Sequence, residues 1–120
     1  MTAEQFLKSV RNSNDQLGKL IRLQGVLSSE ALDDDAQQQQ TQREELEQQI
    51  LREYEHNHMV RQRVRNFIDR LPDKDERQIL KLMYLSLMRM EDAAGVLGFS
   101  LRQCYRIKQR ALMHLEGMRC

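Results

Sequence analysis

The sequence predicts an all-α chain, and three observations carry that expectation. One proline and five glycines in 120 residues leave little that breaks a helix. Aromatic residues make up only 5% and tryptophan is absent, which disfavours a β-sandwich or barrel. Apolar residues recur at helical rather than alternating spacing. The expected architecture is a long N-terminal helical hairpin or coiled coil over residues 1–71, with a polar link at about 28–41, followed by a helix-turn-helix domain over residues 72–120.

The first helix is expected over about Ala3 to Leu27, with Phe6, Val10, Leu17, Leu20, Ile21, Gln24 and Leu27 on one stripe. Gly18 and Gly25 weaken it, and Gly25 with Ser28 and Ser29 marks a stop. Asp33-Asp34-Asp35 and the run Gln37 to Gln40 form a polar, low-complexity link that fits either loop or frayed helix. A second helix is expected from about Thr41 to Arg70. Ile50, Asn57, Val64 and Leu71 recur every seven residues there, giving a heptad seam broken by one polar residue. Tyr54 is assigned to packing on that seam. At ~1.5 Å rise per residue such a helix is roughly 45 Å long, which calls for a partner helix or a second copy. Leu71-Pro72-Asp73 ends it, because the residue before proline leaves the α region.

Beyond Pro72 the texture changes. Asp75 to Leu85 reads as one dense apolar helix that must be buried, and a short helix follows at Met90 to Leu97. Gly98-Phe99-Ser100 is a tight turn, with Gly98 suited to a left-handed C-cap and Ser100 to an N-cap. The last helix runs from Leu101 to about Glu116. Helix, short helix, three-residue glycine turn and basic helix together make the helix-turn-helix pattern.

Charge is unevenly spread. The net charge is +1, yet residues 1–60 carry 6 basic and 11 acidic side chains, against 13 basic and 7 acidic over residues 61–120. One basic end allows a nearly neutral chain to hold a polyanion there. On a helical wheel of the last helix, Cys104, Ile107, Ala111 and Leu115 form one face, and Arg102, Arg106 and Gln109 stand opposite. Gln103 and Arg110 lie on one shoulder and Tyr105 on the other. Arginine forks onto guanine O6/N7 or onto phosphate, and glutamine pairs with adenine N6/N7, so that face suits the major groove of double-stranded DNA. The expected base-edge residues are Arg102, Gln103 and Arg106, with Lys108, Gln109 and Arg110 nearer phosphate. The plainer alternative is a solvated charged face; the near absence of acid among these arginines and the preceding turn weigh against it.

The stretch Met90-Glu91-Asp92-Ala93-Ala94-Gly95-Val96-Leu97-Gly98-Phe99-Ser100-Leu101-Arg102-Gln103-Cys104-Tyr105-Arg106-Ile107, continued by Arg110-Ala111-Leu112, resembles region four of bacterial sigma factors. It is closer still to the sigma-like regulators of phages and prophages of the ArpU/RinA type, which are late transcription activators. The likeness covers about residues 75–115; in the N-terminal half only the long helical layout is similar. It implies a transcription regulator that binds beside a promoter, with RNA polymerase as a further partner. Departures are Leu87, where the family usually has glycine, Met90 for tryptophan, Ala93 for isoleucine, Gly95 inside the short helix, and an apolar Leu101.

Other chemistry finds no support. His56 and His58 point to different sides of a helix, and His114, Cys104 and Cys120 form no ligand set, so no metal is expected. Asp33-Asp34-Asp35 lacks the spacing of a calcium loop. No phosphate loop, nucleophile motif or paired carboxylate appears, so neither catalytic residues nor cofactor are expected. Cys104 and Cys120 are expected as reduced thiols in the cytoplasm, with no signal peptide and no membrane span. The N-terminal helices are expected to self-associate into a homo-oligomer. Two other functions fit the layout: a small-terminase-like DNA-packaging protein, and a coiled-coil adaptor that binds protein only.

Overall fold

The computed structural model describes residues 1–29 and 36–119. Among them the chain is helical without strands: α1 spans Ala3–Ser29, α2 Ala36–Ile68, α3 Lys74–Leu80, α4 Met90–Leu97 and α5 Leu101–Met118, with a π-helical turn at Lys81–Leu85 between α3 and α4. The all-α expectation holds. No helix among the described residues is long and apolar enough to cross a membrane. Packing divides the chain into two compact units, Met1–Arg11 with Val60–Cys120, and Asn12–Met59.

In the Asn12–Met59 unit α1 and α2 run antiparallel. Leu17 packs with Leu46 and Ile50, with Leu20 at the margin, while Ser13 accepts a hydrogen bond from Asn57 Nδ2 at 3.2 Å. Both polar side chains are buried, so a slip of either helix would strand an amide and a hydroxyl away from water. Asn57, the polar break in the heptad seam, thus fixes register within one chain. One expectation is corrected here. Tyr54 does not pack on the seam: it stands 53% exposed on the helix flank. Of the stretch left open between loop and frayed helix, residues 28–29 continue α1 and residues 36–41 begin α2, a glutamine run without proline or glycine being compatible with helix. The Asp33-Asp34-Asp35 run lies outside the described residues.

The other unit draws on both ends of the chain. Ala3, Leu7 and Val10 of α1 join Val64, Phe67 and Ile68 of α2, Leu71, Leu80, Tyr84, Leu85, and Ala111 and Leu115 of α5 in one core. Phe6 meets Phe67 edge-to-face at 5.3 Å, and the amide of Ala3 donates to Glu116 Oε2 at 2.6 Å. The first eleven residues therefore pack with the C-terminal segment, and the units do not separate at residues 71/72. The seam residues Val64 and Leu71 are buried, but in this core rather than in a coiled coil.

The segment expected as one helix over Asp75 to Leu85 changes pitch. Asp73 caps α3, its Oδ1 accepting from the amides of Asp75 (2.8 Å) and Glu76 (3.2 Å). From Lys81 the backbone widens into the π turn. Wider turns let residues five apart share a face, so Leu85 joins Leu80 and Tyr84 in the core. Burial of the Tyr84 phenol, with Glu4 adding to the effect and Arg11 opposing it, pushes its pKa up to about 12.

Leu87 follows at φ +56°, the left-handed region where glycine is usual, while its side chain packs against the core. Leu87→Gly trades lost packing against relieved strain, each worth about 1 kcal/mol. Leu87→Ala loses packing and keeps the strain. Urea melts should therefore rank Leu87→Ala about 1 kcal/mol below Leu87→Gly; the reverse order would remove strain from the account of this turn.

Candidate nucleic-acid interface

Helices α3, α4 and α5 form a helix-turn-helix around a small core of Ile79, Met90, Ala94 and Cys104, with Met83, Leu97, Phe99 and Ile107 packed on it. The turn is built as its residues dictate. Gly98 sits at φ +73°, and the amides of Gly98 (2.9 Å) and Phe99 (3.1 Å) both donate to the carbonyl of Ala94, closing the end of α4. Ser100 opens α5 with a capping box: its Oγ accepts from the Gln103 amide at 3.1 Å, and Gln103 Oε1 accepts from the Ser100 amide at 3.1 Å.

One face of α5 is sealed against the unit. Cys104, Ala111 and Leu115 are buried, and Ile107 is half-buried beside them. Burial pushes the Cys104 thiol pKa up, as expected of a packing residue.

Of the six candidate side chains, Arg102, Arg106 and Gln109 are exposed on the opposite face, and none makes a hydrogen bond or ion pair among the described residues. Their spacing places them in one row along α5, continued by Met113, which is 73% exposed. Lys108 is half-buried on the flank that also carries the exposed Leu101 and Tyr105.

The other two candidates are engaged inside the protein. Gln103, expected at a base edge, has its amide oxygen in the capping box. Arg110, expected at phosphate, reaches back to α3: its Nε donates to Glu76 Oε1 at 3.1 Å and its Nη2 lies 3.3 Å from Asp73 Oδ2. His114 Nδ1 lies 2.7 Å from the same Glu76 oxygen. Glu76 is fully buried, beside Ile79 and Leu80 on the inward side of α3, and its carboxylate is held by two side chains of α5. Wheel geometry put Arg110 beside the outward row but said nothing of a partner. The signal was present in the sequence: Arg110 and His114 sit four apart on one flank, and Glu76 falls three and four residues before Ile79 and Leu80, on the apolar side of α3.

This cluster ties the pitch of α5 to the capped start of α3. Arg110→Ala leaves Glu76 with His114 alone and should cost about 1–3 kcal/mol, toward the lower end because Arg110 is itself about half exposed and water can enter. Arg102→Ala, on the outward row, should change stability by less than about 0.5 kcal/mol. Equal urea midpoints for the two variants would show that the cluster does not brace the helix.

In comparison with known proteins, a family model described as protein of unknown function (DUF1492) matches residues 28–116. No curated protein and no solved structure matches the chain.

Proposed function

The chain belongs to the DUF1492 family, and we propose that it is a sequence-specific DNA-binding transcription regulator that lays α5 in the major groove of double-stranded DNA. The observation that carries the proposal is the sorting of cations on α5. Arg110 is consumed by Glu76 and Asp73, whereas Arg102 and Arg106 stand in an exposed row with Gln109 and have no protein partner among the described residues. An unpaired arginine gains little from solvent exposure alone, but offers a two-pronged donor to guanine or phosphate. The buried face and the braced flank hold that row in one orientation, which base reading requires.

Base-edge contacts fall to Arg102 and Arg106, with Gln109 next in the row. Lys108, on the flank with Tyr105, reaches toward the backbone of the duplex. Gln103 and Arg110 act one step away, setting the start and the pitch of the helix. The sigma-like register from Gly98 to Arg106 supports the finer reading of a phage- or prophage-type activator that binds beside a promoter and touches RNA polymerase.

Run-off transcription on DNA that the protein occupies tests this reading. An activator raises transcript yield from a promoter adjacent to its site. Occupied DNA with no change in yield, together with ring-shaped particles in electron micrographs, would instead indicate a packaging protein. Absence of salt-sensitive DNA binding would leave only the protein-binding adaptor.

A further inference from the structure

The helix pair of the Asn12–Met59 unit buries one side and leaves another bare. Leu51 is 63% exposed, Tyr54 53% and Ile21 42%. On α1, Gly18, Ile21 and Gly25 lie on one flank, rotated in one sense from the buried Leu17; on α2, Leu51 and Tyr54 are rotated in the same sense from the buried Ile50. In an antiparallel pair, equal rotation brings both flanks to one side, so these five residues share a face. The opposite side carries a separate shallow groove lined by Gln16, Leu20, Gln49, Arg52 and Glu53.

The two halves of the bare face differ in relief. The α2 half is a ridge of a leucine and a tyrosine. The α1 half is flattened by two glycines that the pair itself does not require. A Cβ at Gly25 would meet nothing within 4 Å, and one at Gly18 only the mobile end of Arg22 at 4.0 Å. Each glycine weakens the helix it sits in, and neither is needed for a turn or for close approach inside this chain.

We propose that this face binds a second copy of the chain, with α1 of each copy lying over α2 of the other. The ridge of Leu51 and Tyr54 then rests on the flat strip at Gly18 of the partner copy. Level matches level: Ser13 lies beside Asn57, and Leu17 beside Leu46 and Ile50, so Gly18 is near the height of Leu51 along the pair. A two-fold axis parallel to the helices preserves those heights.

Charge selects this arrangement over its rival. The α1 edge of the face carries Arg22, and the α2 edge carries Glu44, Glu47 and Glu55. Placing α1 over the partner's α2 sets arginine against glutamates. The rival, α1 over α1, sets like charges together on both edges, which costs free energy. The unit also has reason to associate: among the described residues its buried apolar core is Leu17, Leu46 and Ile50, little for a free-standing helix pair.

Sedimentation equilibrium of the full chain, without DNA, tests the proposal separately from the functional reading. The wild type should be a dimer at micromolar concentration. Tyr54→Ala should raise the dissociation constant about thirtyfold, the scale of a central aromatic anchor. Gly18→Leu should raise helix content while making the chain monomeric, an opposition of signs that general destabilisation does not produce. Arg22→Glu and Glu47→Arg should each weaken the dimer about two- to fivefold, and their combination should restore it. A wild type that stays monomeric at high micromolar concentration overturns the proposal. So does a dimer indifferent to both Tyr54→Ala and Gly18→Leu. A dimer sensitive to those two but not rescued by the charge swap rejects the α1-over-α2 arrangement.

Discussion

Leu115→Asp should abolish the cooperative thermal transition of the unit that contains α5. Leu115 is fully buried and belongs to the core that joins α5 to both ends of the chain, with Leu7, Val64, Ile68 and Leu71. The residues of that core are apolar, and an unpaired buried charge costs several kcal/mol. Total stability for a domain of this size is about 5–15 kcal/mol, so the loss is comparable to the whole. Met113→Asp is the matched control: two residues away and largely exposed, it should shift stability by no more than about 0.5 kcal/mol. Circular dichroism melts of the two variants give the answer. A Leu115→Asp chain that still melts cooperatively near the wild-type temperature would mean that the buried face of α5 is wrongly identified. Ile107→Asp, which sequence periodicity alone ranks as equally damaging, should fall between the two, because Ile107 is only half-buried and its carboxylate can reach water.

What the sequence made legible follows from which physics is local. The Gly98 left-handed cap, the Ser100 cap and the buried row Cys104, Ala111 and Leu115 are set by neighbours within a turn or two, and all were readable. The break at Pro72 was readable for the same reason. Long-range partnerships were not. Nothing within α1 says that Ala3, Leu7 and Val10 join the core of α5 rather than a coiled coil, because an apolar stripe specifies that it is buried but not against what. Glu76 and Arg110 are 34 residues apart, and only the packing of α3 on α5 brings them to 3.1 Å. The π turn at Lys81–Leu85 escaped because the unbroken apolar run from Leu82 to Leu85 has no periodicity to betray a change of pitch. The Gln103 capping contact was missed for a different reason: its pairing with Ser100 is the local capping-box pattern, and chemical suitability for adenine obscured it.

Arg106→Ala should weaken binding to the preferred DNA site by about 1–3 kcal/mol and relax preference at a single base pair, while leaving the fold unchanged. The geometry sets Arg106 apart in both respects. It stands in the exposed row of α5 between Arg102 and Gln109, and no ion pair or hydrogen bond ties it to another described residue. Its removal therefore has no route to stability and a direct route to the duplex. Two comparisons separate base reading from general charge. Lys108→Ala, on the flank, should weaken all sequences alike and reduce the log–log salt slope by about 0.9, the contribution of one phosphate. Arg110→Ala should lower the urea midpoint, with any loss of affinity spread over all sequences, because its guanidinium braces Glu76 rather than facing the groove. The measurements are anisotropy titrations on a site selected from random DNA and on its single-base variants, repeated at several salt concentrations. If Arg106→Ala binds every variant with the wild-type order of preference, α5 does not read bases through this arginine. If Arg110→Ala instead relaxes one base pair and leaves stability intact, the reading row lies on the other shoulder of the helix.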